Sequence, residues 1–331
     1  MDPVEANAPG DSGIPLLLRS PWPPRDPPSP ELLIWSRLAA RVDAARPAVS
    51  PAPWSADPWR PLGSVLLDVG SEEDFLEGHV PGACHLPADA LASRGHELPP
   101  RWRPLLLTAR DAAARESAAA RLRDDGRRGV FIVDEDPRTW PGRLETGPPR
   151  CPAWEPRPVL LRAVPPARPD RRALDLACGS GRQAVSLALM GYDVLAVDIL
   201  PDALEMTSRL AKGWRVPVAT ERMDLTRTDP LAPSTFDLIC VFRYLERGSM
   251  ARLEGALRPG GRLIYETFTQ AQASRGRPRN PRYLLAPGEL LRAFPGLRIV
   301  DYAEGADEAG DELAVLVAEA RAPSEGADDD G

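Results

Sequence analysis

The sequence predicts an α/β protein: a doubly wound sheet of seven strands preceded by a smaller α/β unit. Three observations predict it. From residue 173 onward, short apolar runs alternate with helix-length segments, the order that builds a parallel sheet covered by helices. The first of these runs, "ALDLACGSGRQAV" at 173–185, passes from a strand through two close glycines into a helix. A shorter copy of the same alternation occupies residues 63–135.

In chain order, residues 1–60 form a Pro/Ala-rich arm carrying Trp22, Trp35, Trp54 and Trp59, with one helix expected at 29–45 behind Ser29 and Pro30. Within 61–136, "SVLLDV" reads as a buried strand and "SEEDFLEG" as a helix capped by Ser71. "VPGACHLP" is a turn into a strand, and "RPLLLTA" is another strand. "DAAARESAAARLRDDG" is an amphipathic helix closed by Gly126, and "GVFIVDED" is the last strand. Residues 137–170 are a Pro/Arg-rich connector. Their proline content predicts poor packing, apart from a docked stretch anchored by Trp154 and "VLL". The domain at 171–321 then runs "RALDLA", "GRQAVSLALMG", "YDVLAVD", "PDALEMTSRLAKG", "PVATERMDL", "FDLICVF", "GSMARLEGAL" and "RLIYETF". After a loop and "PGELLRAF", it closes with "LRIVDYAE" and "ELAVLVAEA" across an acidic hairpin. That is five parallel strands and a final hairpin-linked pair. An acidic tail occupies 322–331.

Composition narrows the function classes. Proline accounts for 39 of 331 residues, about twice the ~5 % of ordinary proteins. The formal net charge of −7 argues against a general polyanion binder, although arginine is locally dense. Cys84, Cys151, Cys178 and Cys240 are widely spaced. They suggest neither a metal site nor a disulfide framework, and a reducing, cytoplasmic location is expected. No window approaches the length of a spanning helix.

The Gly-rich turn "GSGRQA" also fits the dinucleotide fingerprint, so NAD is a competing ligand. Three carboxylates bear on the choice. Asp175 ends the first strand, where it would repel a pyrophosphate but can hold an ammonium, directly or through water. Asp198 ends the second, placed to accept from ribose hydroxyls, a feature NAD enzymes share. Asp224 follows the third, placed to accept from an adenine amino group, with Met223 and Leu225 beside the ring. An amino-acid end, a ribose and an adenine together describe S-adenosylmethionine (SAM).

Residues 151–320 resemble class I SAM-dependent methyltransferases of Rossmann-like fold, and within them the tellurite-resistance-type group. The resemblance is carried by "LDLACGSGR", "VDILPDAL", "RMDL", "FDLICVFRYL", "LRPGGRLIYETF" and "GRPRNPRYLLAPGELL". It implies SAM as cofactor, held by Asp175, Ala177, Gly179, Ser180, Gly181, Asp198, Ile199, Met223, Asp224, Leu225 and Phe242. Gln183 stands where such proteins often carry Asn or Asp. Methyl transfer from a sulfonium is an in-line displacement that needs alignment more than a catalytic group, so no catalytic residue is assigned. Arg182, Arg243, Tyr244 and Glu266 are candidate acceptor contacts, the last three with structural pairing or packing as the alternative. Arg277 and Arg279 belong to a segment, "SRGRPRNPR", that would grip an anion as a lid or else be a solvated loop. Cys178 and Cys240 read as packing residues.

A second resemblance covers "LLDVGSEEDFLEGHVPGACHLP", which is similar to the opening half of rhodanese (sulfurtransferase) domains through Asp68, Phe75, Gly78, His79, Pro81, Gly82 and Ala83. The implied catalytic loop falls at "LLLTARDAAARES" and holds no cysteine, so no sulfur transfer is expected and a scaffolding or protein-binding role remains. The function expected is methylation of a small acceptor, neutral or anionic. A non-enzymatic SAM- or partner-binding protein and an RNA-modifying methyltransferase stay open.

Overall fold

The computed structural model describes residues 63–150, 152–166, 170–227 and 231–321, all within one compact unit that spans Leu32–Gly331. The arm at 1–60 with its expected helix, Cys151 and the acidic tail lie outside the described residues.

The first unit is a four-stranded parallel sheet in the order β2-β1-β3-β4. Its elements are β1 (Val65–Asp68), α1 (Glu72–Glu77), β2 (Cys84–His85), α2 (Leu91–Arg94), β3 (Leu105–Thr108), α3 (Ala112–Asp124) and β4 (Val130–Ile132). The two central strands are buried at every residue, as an apolar run covered on both faces requires. Ser71 caps α1 by accepting from the Asp74 amide, as expected. Helix α3 buries Arg115, Ala118, Ala119 and Leu122, one face at helical spacing.

The Gly-His-x-Pro-Gly-Ala run has a structural role here. The His79 ring stacks on Phe75 at 3.8 Å, and its Nδ1 lies 2.9 Å from the Phe75 carbonyl. His85 stacks against Phe75 at 4.5 Å. Gly82 has φ +73°, which a side chain would strain. Asp68 is buried at the end of β1, where desolvation raises its pKa to about 6 against the amide of Gly70 that its carboxylate accepts.

The connector is docked through Trp154, Val159 and Leu160, as the sequence predicts, while residues 141–150 are exposed or half-buried. Glu145 exchanges backbone hydrogen bonds of 2.9 Å with His79, adding a bridge to the first unit. Ala153 packs into the core of the small sheet, while Trp154 is 1 % exposed among Val185, Leu210 and Ala211 of the second domain. Its indole Nε1 donates to Ser186 Oγ at 3.3 Å, and Trp214 meets it edge-on at 5.4 Å. Proline sets φ without preventing burial, and Pro158 opens the short helix α4 (Pro158–Ala163), which buries Val159 and Leu160.

The second sheet has seven strands in the order β10-β11-β9-β8-β5-β6-β7. Its strands are β5 (Arg172–Leu176), β6 (Asp193–Asp198), β7 (Val218–Arg222), β8 (Phe236–Phe242), β9 (Leu257–Phe268), β10 (Leu297–Ala306) and β11 (Glu312–Ala320). Helices α5 (Arg182–Leu189), α6 (Pro201–Gly213), α7 (Met250–Ala256), α8 (Gln272–Arg275) and α9 (Glu289–Arg292) complete it. The expected hairpin forms, but its second strand inserts between the first and the parallel set. Thus β11 runs antiparallel to both β10 and β9, pairing Val315 with Ala303 and with Glu266. Strand order reverses at β5, which pairs β6 on one side and β8 on the other through Asp175↔Ala196 and Asp175↔Cys240. That reversal opens a crevice at the carboxyl ends of the central strands.

Candidate functional site

The turn after β5 is built from short-range necessities. Ala177 has φ +57°, a left-handed conformation that costs a non-glycine residue ~1–2 kcal/mol. Gly179 (φ +54°) and Gly181 (φ +78°) carry the chain round to α5. A Cβ on Gly181 would stand 2.5 Å from Thr207 Oγ1 and 2.7 Å from its Cα, so α6 packs directly on the turn. Gly181→Ala is expected to cost about 2–4 kcal/mol, combining left-handed strain with overpacking, measured by urea denaturation. A loss below about 1 kcal/mol would show that this packing is slack.

Asp198 ties the neighbouring strand tip to the turn. Its Oδ2 accepts from the Gly179 amide and its Oδ1 from the Leu200 amide, each at 3.0 Å. The Met223 amide donates to the Asp198 carbonyl at 3.0 Å, which sets the tip of β7 beside that of β6. Ile199 and Leu200 are 45 % and 60 % exposed, apolar side chains left uncovered next to the carboxylate. Asp224 accepts at one oxygen from the Thr226 hydroxyl (2.7 Å) and amide (3.0 Å), and the hydroxyl chiefly holds its carboxyl below the usual range. Leu225 is buried, and Met223 and Tyr244 pack against the same core. Burial, then Glu246, Asp224 and Asp198, raises the Tyr244 phenol to about 12.

Asp175 is a strongly perturbed group of the turn. It is 2 % exposed and its Oδ2 has no hydrogen-bond partner. Desolvation raises its pKa to about 7, opposed by the backbone hydrogen bond from Ala184 and supported by the Asp198 charge. Cys178 is buried and its thiol is pushed up to about 12, chiefly by desolvation; Cys240 is raised for the same reason. Neither thiol suits nucleophilic attack.

Beyond β8 the expected acceptor residues divide. Arg243 donates to Asp311 Oδ2 at 2.7 Å and to Asp307 Oδ2 at 3.3 Å, and covers the Phe268 ring at 4.6 Å. Glu266 is 3 % exposed, with its Oε1 2.7 Å from Arg157 Nη2 but not aligned for a hydrogen bond. Burial raises its pKa, with Arg157 the main opposing charge. Both residues are therefore in the structural pairing that the sequence left as their alternative. Their partners Arg157, Asp307 and Asp311 were not read from the sequence. The first lies in the proline-rich connector and the other two in the acidic hairpin, and the Arg157–Asp307 contact of 3.2 Å joins positions 150 apart. Gln183 accepts from the Arg157 amide at 3.1 Å, laying the connector over the first turn of α5. Arg277 and Arg279 are exposed. Their loop is fixed at its base by Gln272, which donates to the Arg277 carbonyl and to Asp311 Oδ1, both at 3.0 Å. Among the described residues, no group of His, Cys, Asp or Glu is arranged to hold a metal, and no helix is long and apolar enough to cross a membrane.

The arrangement is a switch-point crevice with a buried carboxylate, a tight glycine turn and a second acidic strand tip flanked by uncovered apolar side chains. Residues 173–261 match the family model of a methyltransferase domain. This methyltransferase-like segment runs from the glycine-turn strand β5 to Gly261 within β9. Similar curated proteins include hemagglutinin 1 of Eikenella corrodens, 33 % identical over 27 % of this chain and 32 % of that protein. The mitochondrial ubiquinone biosynthesis O-methyltransferase of Schizosaccharomyces pombe is 29 % identical over 32 % of this chain and 40 % of its own length. The demethylmenaquinone methyltransferase of Beutenbergia cavernae is 34 % identical over 31 % and 43 %. The chain thus spans less than half the length of each of these relatives.

Proposed function

We propose that the chain is a SAM-dependent methyltransferase acting on a small molecule. The reading is carried by one observation: the buried Asp175 carboxylate, with an orphaned oxygen, closes a turn whose far side is Asp198. An orphaned carboxylate oxygen suits a ligand's ammonium, and Asp198 retains lone pairs for ribose hydroxyls beyond the two amides it accepts. Ile199 and Met223 supply apolar faces for an adenine, with Asp224 at its edge. SAM, when bound, supplies a methyl group on a sulfonium. The chain's own residues bind and orient, Asp175 at the amino-acid end and Asp198 at the ribose. The methyltransferase relatives matched by this chain act on quinone precursors by name, which supports a small-molecule acceptor. Incubation with labelled SAM and a metabolite extract tests the reading. Label is expected in a small molecule; label only in RNA, or SAM bound with nothing labelled, would replace it.

A pH signature follows from Asp175. Its folded pKa of about 7 lies above the unfolded value, so the native state binds the extra proton between about pH 4 and pH 7. The stability this contributes is present at low pH and is lost as pH rises through 7. An ammonium beside the carboxyl favours its charged form. SAM binding near pH 6 is therefore expected to release up to about one proton, and affinity to rise towards pH 7 and then level off. Calorimetry in buffers of different ionisation enthalpy measures it; heats independent of buffer would detach Asp175 from the ligand.

We read the unit at 61–136 as a rhodanese-like module without sulfurtransferase chemistry, a scaffold or docking face in a cytoplasmic protein. At the loop that would cradle a persulfide, Asp111 places its own carboxylate on the Ala113 amide at 2.9 Å, and Arg110 is held by Asp74 and Glu77. No thiocyanate is expected from thiosulfate and cyanide; turnover above background would overturn this part of the reading.

A further inference from the structure

Three arginines are placed around the point where β5 and β8 part. Arg182 opens α5 immediately after the glycine turn, Arg243 follows β8, and Arg157 lies over the first turn of α5 through the hydrogen bond its backbone amide donates to Gln183 Oε1. Two of the three have acids. Arg157 meets Glu266 at 2.7 Å and Asp307 at 3.2 Å. Arg243 meets Asp311 at 2.7 Å and Asp307 at 3.3 Å. The remaining Asp311 oxygen is taken by Gln272, and the other Asp307 oxygen by the amides of Ala309 and Asp311. Arg182 has no acid partner among the described residues, although it is half-buried. Burial, with the Arg157 and Arg243 charges, lowers its pKa. The Nε of Arg157 is also buried and without an acceptor.

A half-buried cation without a counter-ion, beside two others that have theirs, leaves a charge that a ligand's anion can neutralise. A planar guanidinium offers two parallel donors that match a carboxylate. We propose that Arg182 anchors a carboxylate of the methyl acceptor, so that the substrate class is an anionic small molecule. This rests on the methyltransferase reading. The acids of the cluster hold Arg157 and Arg243 in place, and leave Arg182 as the group that recognises the substrate's charge.

The test uses the full chain saturated with S-adenosylhomocysteine, titrated in a calorimeter with acetate, malonate and 4-hydroxybenzoate, each against its amide. At least one carboxylate is expected to bind about tenfold more tightly than its amide, a preference that Arg182→Gln abolishes and Arg182→Lys reduces. S-adenosylhomocysteine affinity should stay within about threefold in both variants, which also reports that they fold. No preference in the wild type, or one that survives in Arg182→Gln, overturns the proposal. SAM and decarboxylated SAM form the second arm. If Arg182→Gln weakens SAM but not its decarboxylated form, the carboxylate belongs to the cofactor and the acceptor assignment falls. Failure of the wild type to bind SAM or S-adenosylhomocysteine would instead remove the methyltransferase reading itself.

Discussion

Asp198→Ala is expected to lower SAM affinity by about 100-fold or more, measured by calorimetry at near-neutral pH. The arithmetic uses two hydrogen bonds from ribose hydroxyls to a carboxylate. Each contributes ~1.5–3 kcal/mol because the acceptor is charged, and each 1.4 kcal/mol is a factor of ten. The substitution also releases the Gly179 and Leu200 amides, so the turn loses part of its preorganisation. Asp198→Asn keeps the size and one acceptor oxygen, and should fall between the two. A melting curve separates loss of binding from loss of fold. SAM affinity within about threefold of wild type in Asp198→Ala would mean that the ribose is held elsewhere.

Trp154→Ala is expected to cost about 3–5 kcal/mol of stability, among the largest effects of any single substitution in the chain. The indole is 1 % exposed and fills a space between α5 and α6, and its N–H is bonded to Ser186. Truncation removes the transfer free energy and leaves a cavity that two helices cannot easily close. It also loosens the segment that carries Ala153 into the small sheet's core and Arg157 into the acidic cluster. Calorimetry should show a melting temperature lower by ~10 °C for a domain of this size. A shift of about 1 °C or less would mean that the connector does not rely on this anchor.

The strands and helices of both units were legible locally. Buried parallel strands read as unbroken apolar runs, and Ser71 and Pro201 mark helix starts by their own chemistry. The glycine turn was legible for the same reason, since a left-handed φ and a close helix leave few residue choices. The connector's docked stretch was legible through Trp154 and "VLL", but what the tryptophan meets, Val185, Leu210 and Ala211, was not. Arg243 and Glu266 were found by position at strand ends, but their partners were not. Those partners come from the far hairpin and the connector, and no local pattern links them.

By itself, then, the sequence determined the two α/β units, the turn and the carboxylates at the strand tips, because backbone geometry and apolar periodicity act over a few residues. The tertiary structure alone decided that β11 lies between β9 and β10. Both hairpin strands carry apolar residues, and only packing shows that "ELAVLVAEA" is covered on both faces while β10 is left mostly exposed at the edge. It alone decided which of three arginines stands without an acid, since charge pairing depends on distances across the crevice that chain order does not encode.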